Sequence, residues 1–300
     1  WIRNGKTKTA AVEKEIILAA GALQSPQILQ LSGIGPAELL AEHGITLVHD
    51  APEVGRNLQD HYQMRTIVRL THKNSLNDGI SNPFKLAQWG LQWLRDGSGP
   101  LSVGAGQVGG GACTKYAKNG RPDVQFNVMP LSVDKPGTPL HDYSGFTASV
   151  WQCHPKSRGT LQIKSSDPFD QPHIDPNYFA EEKDRKVMVE GVKILRDIYD
   201  QPSFRDIWDQ EVMPGRDVQS DEELWDHIRH NGGTVFHCVG TCRMGSDTTS
   251  VVDPQLRVRG VNKLRVIDAS VMPKITSANT NAATYMIAEK GASAILENAS

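Results

Sequence analysis

The residues around His237 include groups that could do two kinds of chemistry. Cys238 and Cys242 lie four positions apart beside this histidine, and thiolates and imidazoles are common zinc ligands. Two cysteines and one adjacent histidine do not supply four ligands at a zinc spacing, so we expect small buried thiols and no metal site. An imidazole with an ordinary pKa of about 6.5 could instead take a proton from a substrate. One histidine among ten does not by itself support that role.

A glycine string from Gly104 to Gly109 has the G-x-G-x-x-G spacing of a dinucleotide-binding turn. That turn needs a preceding strand, a following helix N-terminus and an acidic residue about 20 positions later. Here the glycines continue to Gly111, the next segment leaves little room for a packed helix, and the nearest later acid is Asp123. We therefore expect a glycine-rich loop packed near another backbone.

Composition excludes several classes of function. The 300 residues carry 32 basic and 34 acidic side chains, and a net charge of −2 lacks the cationic field needed to bind nucleic acid or anionic membrane. The apolar runs are far shorter than the roughly 20 residues of a membrane-spanning helix, and the first residues lack a signal-peptide core. Because the four cysteines are few and scattered, we expect a reducing, cytoplasmic location.

Both ends of the chain have the pattern of an α/β fold. The apolar residues 16–20 predict a short buried strand, and Ser25 with Pro26 predicts a helix N-cap and first helical position. A second helix is predicted at residues 36–43. Near the other end, short strands precede a helix predicted at about residues 283–296.

The middle of the chain has the alternating pattern of an antiparallel sheet. The alternating segments lie at residues 64–70, 123–128, 146–152 and 159–163. Helices predicted at residues 83–94 and 181–199 would cover one face of this sheet, and Ser220 is predicted to cap an acidic, solvated helix.

The fold class that follows is α/β plus α+β. A partial α/β domain is predicted from residues 1–63 and 235–300, and residues 64–234 are predicted to form an inserted domain with an antiparallel sheet covered by helices.

Several long strings are similar to those of one known family. They are GALQSPQILQLSGIG (21–35), VGRNLQDH (54–61), PKSRGT (155–160), PNY (176–178), HCVGTCRMG (237–245), VDP (252–254), VIDASVMP (266–273) and NTNA (279–282). Their order and spacing resemble the glucose-methanol-choline (GMC) oxidoreductases, a family of flavoproteins, over nearly the whole chain. A capped helix after a strand would explain only the serine, proline and last glycines of the first string.

The resemblance implies FAD as cofactor and the oxidation of a small-molecule alcohol, with hydride transfer to flavin N5. His237 matches the family's active-site histidine, and Asn279 matches a second position that members fill with histidine or asparagine. A carboxamide cannot act as a base but can hold an alkoxide. The resemblance therefore implies that His237 takes the proton and that Asn279 orients the oxygen.

The resemblance also implies a set of cofactor contacts. They are Ala20, Gly21, Asp268, Ala269, Thr280, Asn281 and Ala282. The last three lie where the final helix begins, and the free N–H groups and positive dipole end of a helix stabilise the negative charge of a reduced flavin. A plain N-cap would also explain Asn281 or Thr280, and an ordinary strand-end turn would explain Asp268.

The family's Rossmann turn and its acidic residue for the adenosine ribose do not occur in these 300 residues. We therefore expect the chain to resemble the C-terminal half of such a protein and to bind FAD weakly or not at all alone. Expected partners are the missing FAD-binding segment or an electron acceptor. Two alternatives stay open: a non-catalytic fragment or subunit that completes a partner chain, and a hydroxynitrile lyase on the same scaffold.

Overall fold

Segments from different parts of the chain combine into two units. The computed structural model describes residues 2–104, 106–135 and 137–297, so Ala105 of the glycine string lies outside the described residues. Within that range, the terminal unit consists of residues 2–60, 157–178 and 236–297, and the middle unit of residues 61–156 and 179–235.

The regular elements are mostly short. In chain order the strands are β1 (Ile2–Arg3), β2 (Lys6–Thr7), β3 (Ile16–Leu18), β4 (Ile34–Gly35), β5 (His49–Asp50), β6 (Tyr62–Leu70), β7 (Val108–Ala112), β8 (Val124–Met129), β9 (Gly145–Gln152), β10 (Thr160–Gln162), β11 (His173–Asp175), β12 (Trp208–Met213), β13 (Gly233–Thr234) and β14 (Leu264–Val266). The helices are α1 (Gly21–Leu31), α2 (Ala37–Glu42), α3 (Leu76–Ile80), α4 (Pro83–Asp96), α5 (Glu182–Tyr199), α6 (Pro202–Arg205), α7 (Asp221–Asn231) and α8 (Asn281–Glu297). None of the described helices is both long and apolar enough to cross a bilayer.

The middle unit is built on an antiparallel sheet with the strand order β12-β6-β9-β8-β7, and β13 pairs with β6. Met64 and Val68 of β6 face the same side as Val150 of β9 and join its buried cluster, and α5 packs on that side. A Cβ atom at Gly191 of α5 would lie 2.8 Å from Val150, so only glycine permits this approach. The sheet and α5 match the elements predicted for the middle of the chain.

Helix α4 does not cover the sheet as predicted. It has no buried residue and packs instead against α3 and the 3-10 helix Pro100–Ser102. Trp89 fills the space beside Gly79, where a Cβ atom would overlap the indole ring. The prediction was wrong because an amphipathic pattern indicates an apolar face, but not whether or by which element that face is covered.

Two predictions about the middle segment also need correction. The glycine string leads into β7, an edge strand paired with β8, so its last glycines form a ladder rather than a loop. Residues 159–163 do not join the large sheet, because β10 and β11 form a hairpin of the terminal unit. Leu161 N donates to Gly55 O at 2.7 Å, and the Gln30 amide donates to Leu161 O at 3.1 Å. The insertion is therefore interrupted at residues 157–178 instead of running from 64 to 234.

Helix α1 begins at Gly21 rather than at Ser25, so Pro26 lies inside the helix. A proline has no N–H to donate to the carbonyl four residues earlier, which here is that of Ala22. The Thr241 hydroxyl donates to Ala22 O at 2.6 Å and takes the place of the missing donor. Ser25 and Pro26 gave the wrong position for the start of the helix, because the donor that replaces the missing N–H comes from a residue 219 positions away.

The terminal unit contains a parallel pair of strands, β3 and β14, followed by α1 and by a 3-10 helix, Ala269–Val271. Residues Ile16 and Ile17 of β3 are 49% and 44% exposed, so the prediction of a buried strand is wrong for this chain. Their exposure follows from the small sheet, since among the described residues β3 pairs only with β14. The two units together give a mixed α/β fold with an antiparallel sheet.

Candidate active site

His237 is positioned by a short antiparallel contact with the segment that ends at Asp60. The backbone of Gln59 and Val239 exchanges two hydrogen bonds, of 3.0 and 2.9 Å. Two residues before Val239, His237 N donates to the Asp60 carboxylate at 2.9 Å. The side chain of His237 is consequently held in a protected place, with 8% of the residue exposed.

Asn279 lies directly beside this histidine, as the sequence predicts. Its Nδ2 is 3.1 Å from His237 Nε2. A carboxamide nitrogen can only donate, so with the amide in this orientation Nε2 is the acceptor and carries a lone pair. In that tautomer the imidazole can take a proton at Nε2. The residues are 42 positions apart in the chain, and the fold brings their polar atoms together.

Asp60 is a site residue that sequence reasoning missed. It is 4% exposed and accepts hydrogen bonds from His237 N and from the Tyr178 hydroxyl. Asp60 lies in the string LQDH and Tyr178 in the string PNY, and both strings resemble the GMC family. Nothing local to either string indicates that these two residues are in contact. The signal that could have found Asp60 is a carboxylate in a segment of buried polar residues, Gln59, Asp60 and His61.

Burial and the charge of Asp60 shift the pKa of His237 in opposite directions. Burial lowers the pKa of His237 below its ordinary value, and the negative charge of Asp60 partly offsets this effect. The same two influences add for the neighbouring thiol, where burial and Asp60 raise the pKa of Cys238 to about 12. Burial also raises the pKa of Cys242. The imidazole is therefore neutral at pH 7, and both thiols are protonated.

Gln59 fastens the loop that leads to Asn279. Its amide Nε2 donates to Pro273 O at 3.2 Å, and its Oε1 accepts from Ile275 N at 3.1 Å. Because Asp60 follows immediately and holds His237, two consecutive side chains fix both loops that carry the candidate catalytic residues. Asn57, with a φ of 61°, adds a 3.2 Å bond from its amide to Gly240 O.

The predicted cofactor residues Thr280, Asn281 and Ala282 lie at the start of α8. The Thr280 carbonyl accepts from Thr284 N at 3.0 Å, while Asn281 and Ala282 are exposed. The first turn of α8 contains no acidic residue. Its free N–H groups and the positive end of the helix dipole therefore lie next to Asn279 without a negative side chain in that turn.

The other predicted cofactor residues lie together at the carboxyl ends of β3 and β14. Gly21 N donates to the Asp268 carboxylate at 2.9 Å, Ser25 Oγ donates to it at 2.5 Å, and Ser270 N donates to it at 2.8 Å. Asp268 is buried, and its carboxylate accepts hydrogen bonds from other residues of the chain. Only the backbone of Asp268 and that of Ala269 therefore remain as predicted contacts with the cofactor. Ala20 is exposed, and Gly21, with a φ of 82°, borders open space.

Two family models of GMC oxidoreductases, one N-terminal and one C-terminal, match residues 2–63 and residues 155–288. The chain belongs to the GMC oxidoreductase family. FAD is the cofactor of this family. The resemblance inferred from the strings around His237 and Gly21 is confirmed by these matches.

No group of three or more histidine, cysteine, aspartate or glutamate side chains in the described part of the chain could hold a metal ion.

Relatives within the GMC family cover almost all of the chain. An alcohol dehydrogenase [acceptor] of Pseudomonas putida is 42% identical over 286 residues, which are 94% of this chain and 51% of the relative. An oxygen-dependent choline dehydrogenase of Escherichia coli O157:H7 is 40% identical over 301 residues, 98% of this chain and 52% of the relative. The chain thus spans about half the length of the curated relatives it matches.

Solved GMC structures share the fold. Formate oxidase of Aspergillus oryzae RIB40, solved in a study of FAD modification, matches with a TM-score of 0.90 and 28% identity over 95% of this chain and 54% of that one. Pyridoxine 4-oxidase of Mesorbium loti matches with a TM-score of 0.78 and 28% identity over 93% of this chain and 50% of that one.

Proposed function

We propose that this GMC chain supplies the proton-transfer site of an FAD-dependent alcohol oxidation, with His237 as base and Asn279 as the residue that orients the substrate oxygen. The observation that carries the proposal is the 3.1 Å contact between His237 Nε2 and Asn279 Nδ2 in a member of this family. The names of the alcohol and choline dehydrogenases among the relatives support an alcohol as substrate.

FAD supplies a hydride acceptor, the flavin N5, when it is bound. The chain's own residues fit the negatively charged part of such a cofactor, because the first two residues of α8 are exposed and its first turn contains no acid. Asn281 and Ala282 would contribute backbone N–H groups there, and the backbone at Ala20 and Gly21 would contribute at the carboxyl ends of the strands. Asp268 supports this arrangement indirectly, by holding Gly21.

The two site residues can share one hydroxyl group. In the structure the Asn279 amide donates to the lone pair of His237 Nε2. A substrate hydroxyl placed between them would donate to Nε2 in its turn, and its oxygen would accept from the amide. As the carbinol carbon loses its hydride, the proton moves to Nε2 and the amide stabilises the oxygen.

Asp60 contributes to this step without touching the substrate. Its charge raises the pKa of His237 and so favours the imidazolium that forms when the proton arrives. Burial has the opposite effect and keeps the resting imidazole neutral. Asp60 is therefore a positioning residue that also adjusts the strength of the base.

The proposal is tested by anaerobic flavin reduction with a panel of primary alcohols and choline, together with identification of the carbonyl product. The protein is loaded with FAD, with a Rossmann segment supplied in cis or in trans if the 300 residues do not retain the flavin. Bleaching of the flavin in step with aldehyde formation is expected. Cleavage of a cyanohydrin without flavin reduction would show a lyase, and failure of every alcohol to reduce bound flavin would favour a non-catalytic subunit.

A further inference from the structure

The antiparallel pairing of β8 and β9 brings two loops of the middle unit together. Val124, the first residue of β8, pairs with Gln152, the last residue of β9. The Cys153 N–H continues this ladder with a 2.8 Å hydrogen bond to Asp123 O. The loop that enters β8 therefore lies beside the segment that leaves β9. Together with the start of α5, they border a cavity of about 240 Å³ that lies wholly within the middle unit.

Basic side chains from all three segments line this cavity. They are Lys118 and Arg121 of the loop before β8, Lys156 of the segment after β9, and Lys183 of the first turn of α5. The two residues of the loop lie at the ends of a tight turn, in which Arg121 N donates to Lys118 O at 3.1 Å. The fold thus gathers four permanent cations from three separate parts of the chain.

These four cations differ from basic residues of the same segments that lie outside the cavity. Lys115 forms an ion pair with Glu190 at 3.0 Å, and Lys186 forms one with Glu182 at 2.8 Å. No carboxylate in the part of the chain that the structure describes forms an ion pair with any of the four cavity cations. A concave site lined by charges of one sign concentrates their field and raises the local concentration of a counter-ion.

Two buried acids fasten the segments that carry the cations. Asp123, which is 6% exposed, accepts from the N–H and the hydroxyl of Thr114, both at 2.7 Å. Asp184, which is 1% exposed, accepts from Lys156 N at 2.9 and 3.0 Å and from the Gln152 amide at 2.9 Å. Of these two acids, Asp123 alone borders the cavity. The positions of the cations are therefore set by a held backbone, and their charge exceeds that of the bordering acid.

His154 also borders the cavity and responds to this field. Burial lowers the pKa of His154 below its ordinary value. The charges of Arg121, Lys156 and Lys183 lower this pKa as well, while that of Asp123 acts in the opposite direction. An anion bound among the cations would offset their effect and raise the pKa of the imidazole.

We propose that this cavity binds a small oxyanion with two or more negative charges, a diphosphate or a phosphate monoester. A guanidinium donates to a phosphate through two parallel N–H groups, and lysine ammonium groups supply further positive charge. The cavity is smaller than the roughly 300–1,000 Å³ of sites for drug-sized ligands, so it suits a compact anion. The inference goes beyond the proposed oxidation and does not depend on it.

The first test measures diphosphate binding to the whole chain by isothermal titration calorimetry at about 0.15 M ionic strength. The wild type should bind one equivalent. Arg121→Gln and Lys156→Gln should each weaken binding about tenfold, as expected for loss of a charge-assisted contact. Lys156→Arg keeps the charge and should retain most of the affinity. Glycerol 3-phosphate distinguishes the two sources of the anion: tighter binding than diphosphate supports a phosphate monoester, and weaker binding supports diphosphate.

Lys186→Gln is the matched control. It removes the same charge from α5, but from a side chain that is exposed and paired with Glu182. Its affinity for diphosphate should stay within about twofold of the wild type, because solvent and salt screen an exposed charge outside the cavity. Equal weakening by Lys186→Gln and Arg121→Gln would show a response to net charge alone and would overturn the site. So would the absence of saturable binding to the wild type.

The second test places the anion by NMR titration of the histidine side chains. Saturating diphosphate should raise the pKa of His154, and His154→Gln identifies its resonance. His230 of α7, which does not border the cavity, should titrate as it does without the anion. Diphosphate that binds but leaves the pKa of His154 unchanged would lie elsewhere on the protein, and the proposed site would be wrong.

Discussion

The terminal and middle units hold their buried charges in different ways. In the middle unit, the Arg196 guanidinium and the Glu211 carboxylate, both buried, form an ion pair at 2.6 Å. In the terminal unit, Asp268 accepts from the N–H and hydroxyl groups of Gly21, Ser25 and Ser270, all of them uncharged donors. A peptide N–H and a phenol hydroxyl likewise donate to Asp60.

This difference determines what each acid can do. When a carboxylate is paired with a guanidinium, the cation opposes its effect on nearby groups: Glu211 raises the pKa of His227, whereas Arg196 lowers it. A carboxylate held by neutral donors keeps its charge and acts on nearby titrating groups. Asp60 is of this second kind, since its charge opposes the effect of burial on the pKa of His237. Buried charge in the middle unit is thus structural at Glu211, whereas at Asp60 it serves the candidate site.

The largest expected effect comes from removing the base itself. His237→Ala should lower kcat for alcohol oxidation by about 10³-fold, within the range for loss of a general base. Stopped-flow flavin reduction measures the step directly. His230→Ala, at an exposed helical position, is the control and should retain wild-type rates. A His237→Ala enzyme that binds FAD and reduces it at the normal rate would remove this residue from the proposed mechanism.

The middle unit should respond to loss of charge mainly in stability. Glu211→Gln leaves the buried Arg196 without its anion, and we expect a loss of about 3–5 kcal/mol in the free energy of unfolding. Urea denaturation measures this change. Glu182→Gln, which breaks the exposed pair with Lys186, should leave the unfolding midpoint unchanged. If Glu211→Gln is as stable as the wild type, the contrast between the two units does not hold.

Asp60→Asn should alter the pH dependence of activity. The wild type needs a neutral imidazole, so kcat/KM should fall as the pH drops through the pKa of His237, below about 6.5. Removing the negative charge lets burial lower that pKa further, so the acid limb of the profile should move to lower pH. The maximal rate should fall about tenfold, because the imidazolium loses stabilisation.

Tyr178→Phe is the matched control for Asp60→Asn, since it removes one donor to the carboxylate and leaves its charge in place. Its acid limb should stay near that of the wild type. A movement of the Asp60→Asn profile to higher pH would show that Asp60 does not act on His237 through its charge.

The smallest expected effect concerns the proline in α1. Thr241→Val should lower the free energy of unfolding by about 1–2 kcal/mol, because the Ala22 carbonyl loses its donor. Pro26→Ala restores a backbone N–H at the position that can donate to Ala22 O. The double variant should therefore recover part of the loss in a double-mutant cycle. Strictly additive changes would contradict the compensation between Thr241 and Pro26.

Local signals were sufficient where one segment determines its own structure. The capping box of Ser220 and Glu223 begins α7 as predicted, and Gly44, with a φ of 66°, follows α2. The adjacency of His237 and Asn279 was expected only because the surrounding strings resemble a known family. Their chemistry alone gave no reason to place two residues 42 positions apart in contact.

Several of the failures share one physical cause, which is compensation from distant parts of the chain. The start of α1 depends on Thr241, and the place of β10 depends on Gln30 and Gly55. The role of Asp60 depends on a backbone N–H 177 positions later. Such features leave no periodicity or spacing in the sequence.

The Asp60 contact also has a consequence for the order of events during synthesis. The carboxylate leaves the ribosome 177 residues before the histidine whose N–H it accepts. At a synthesis rate of roughly 5–20 residues per second, His237 is made about 10 to 35 seconds after Asp60. During that interval the whole middle unit is made, since residues 61–156 and 179–235 lie between Asp60 and His237. The candidate active site is therefore expected to be among the last parts of the nascent chain to form.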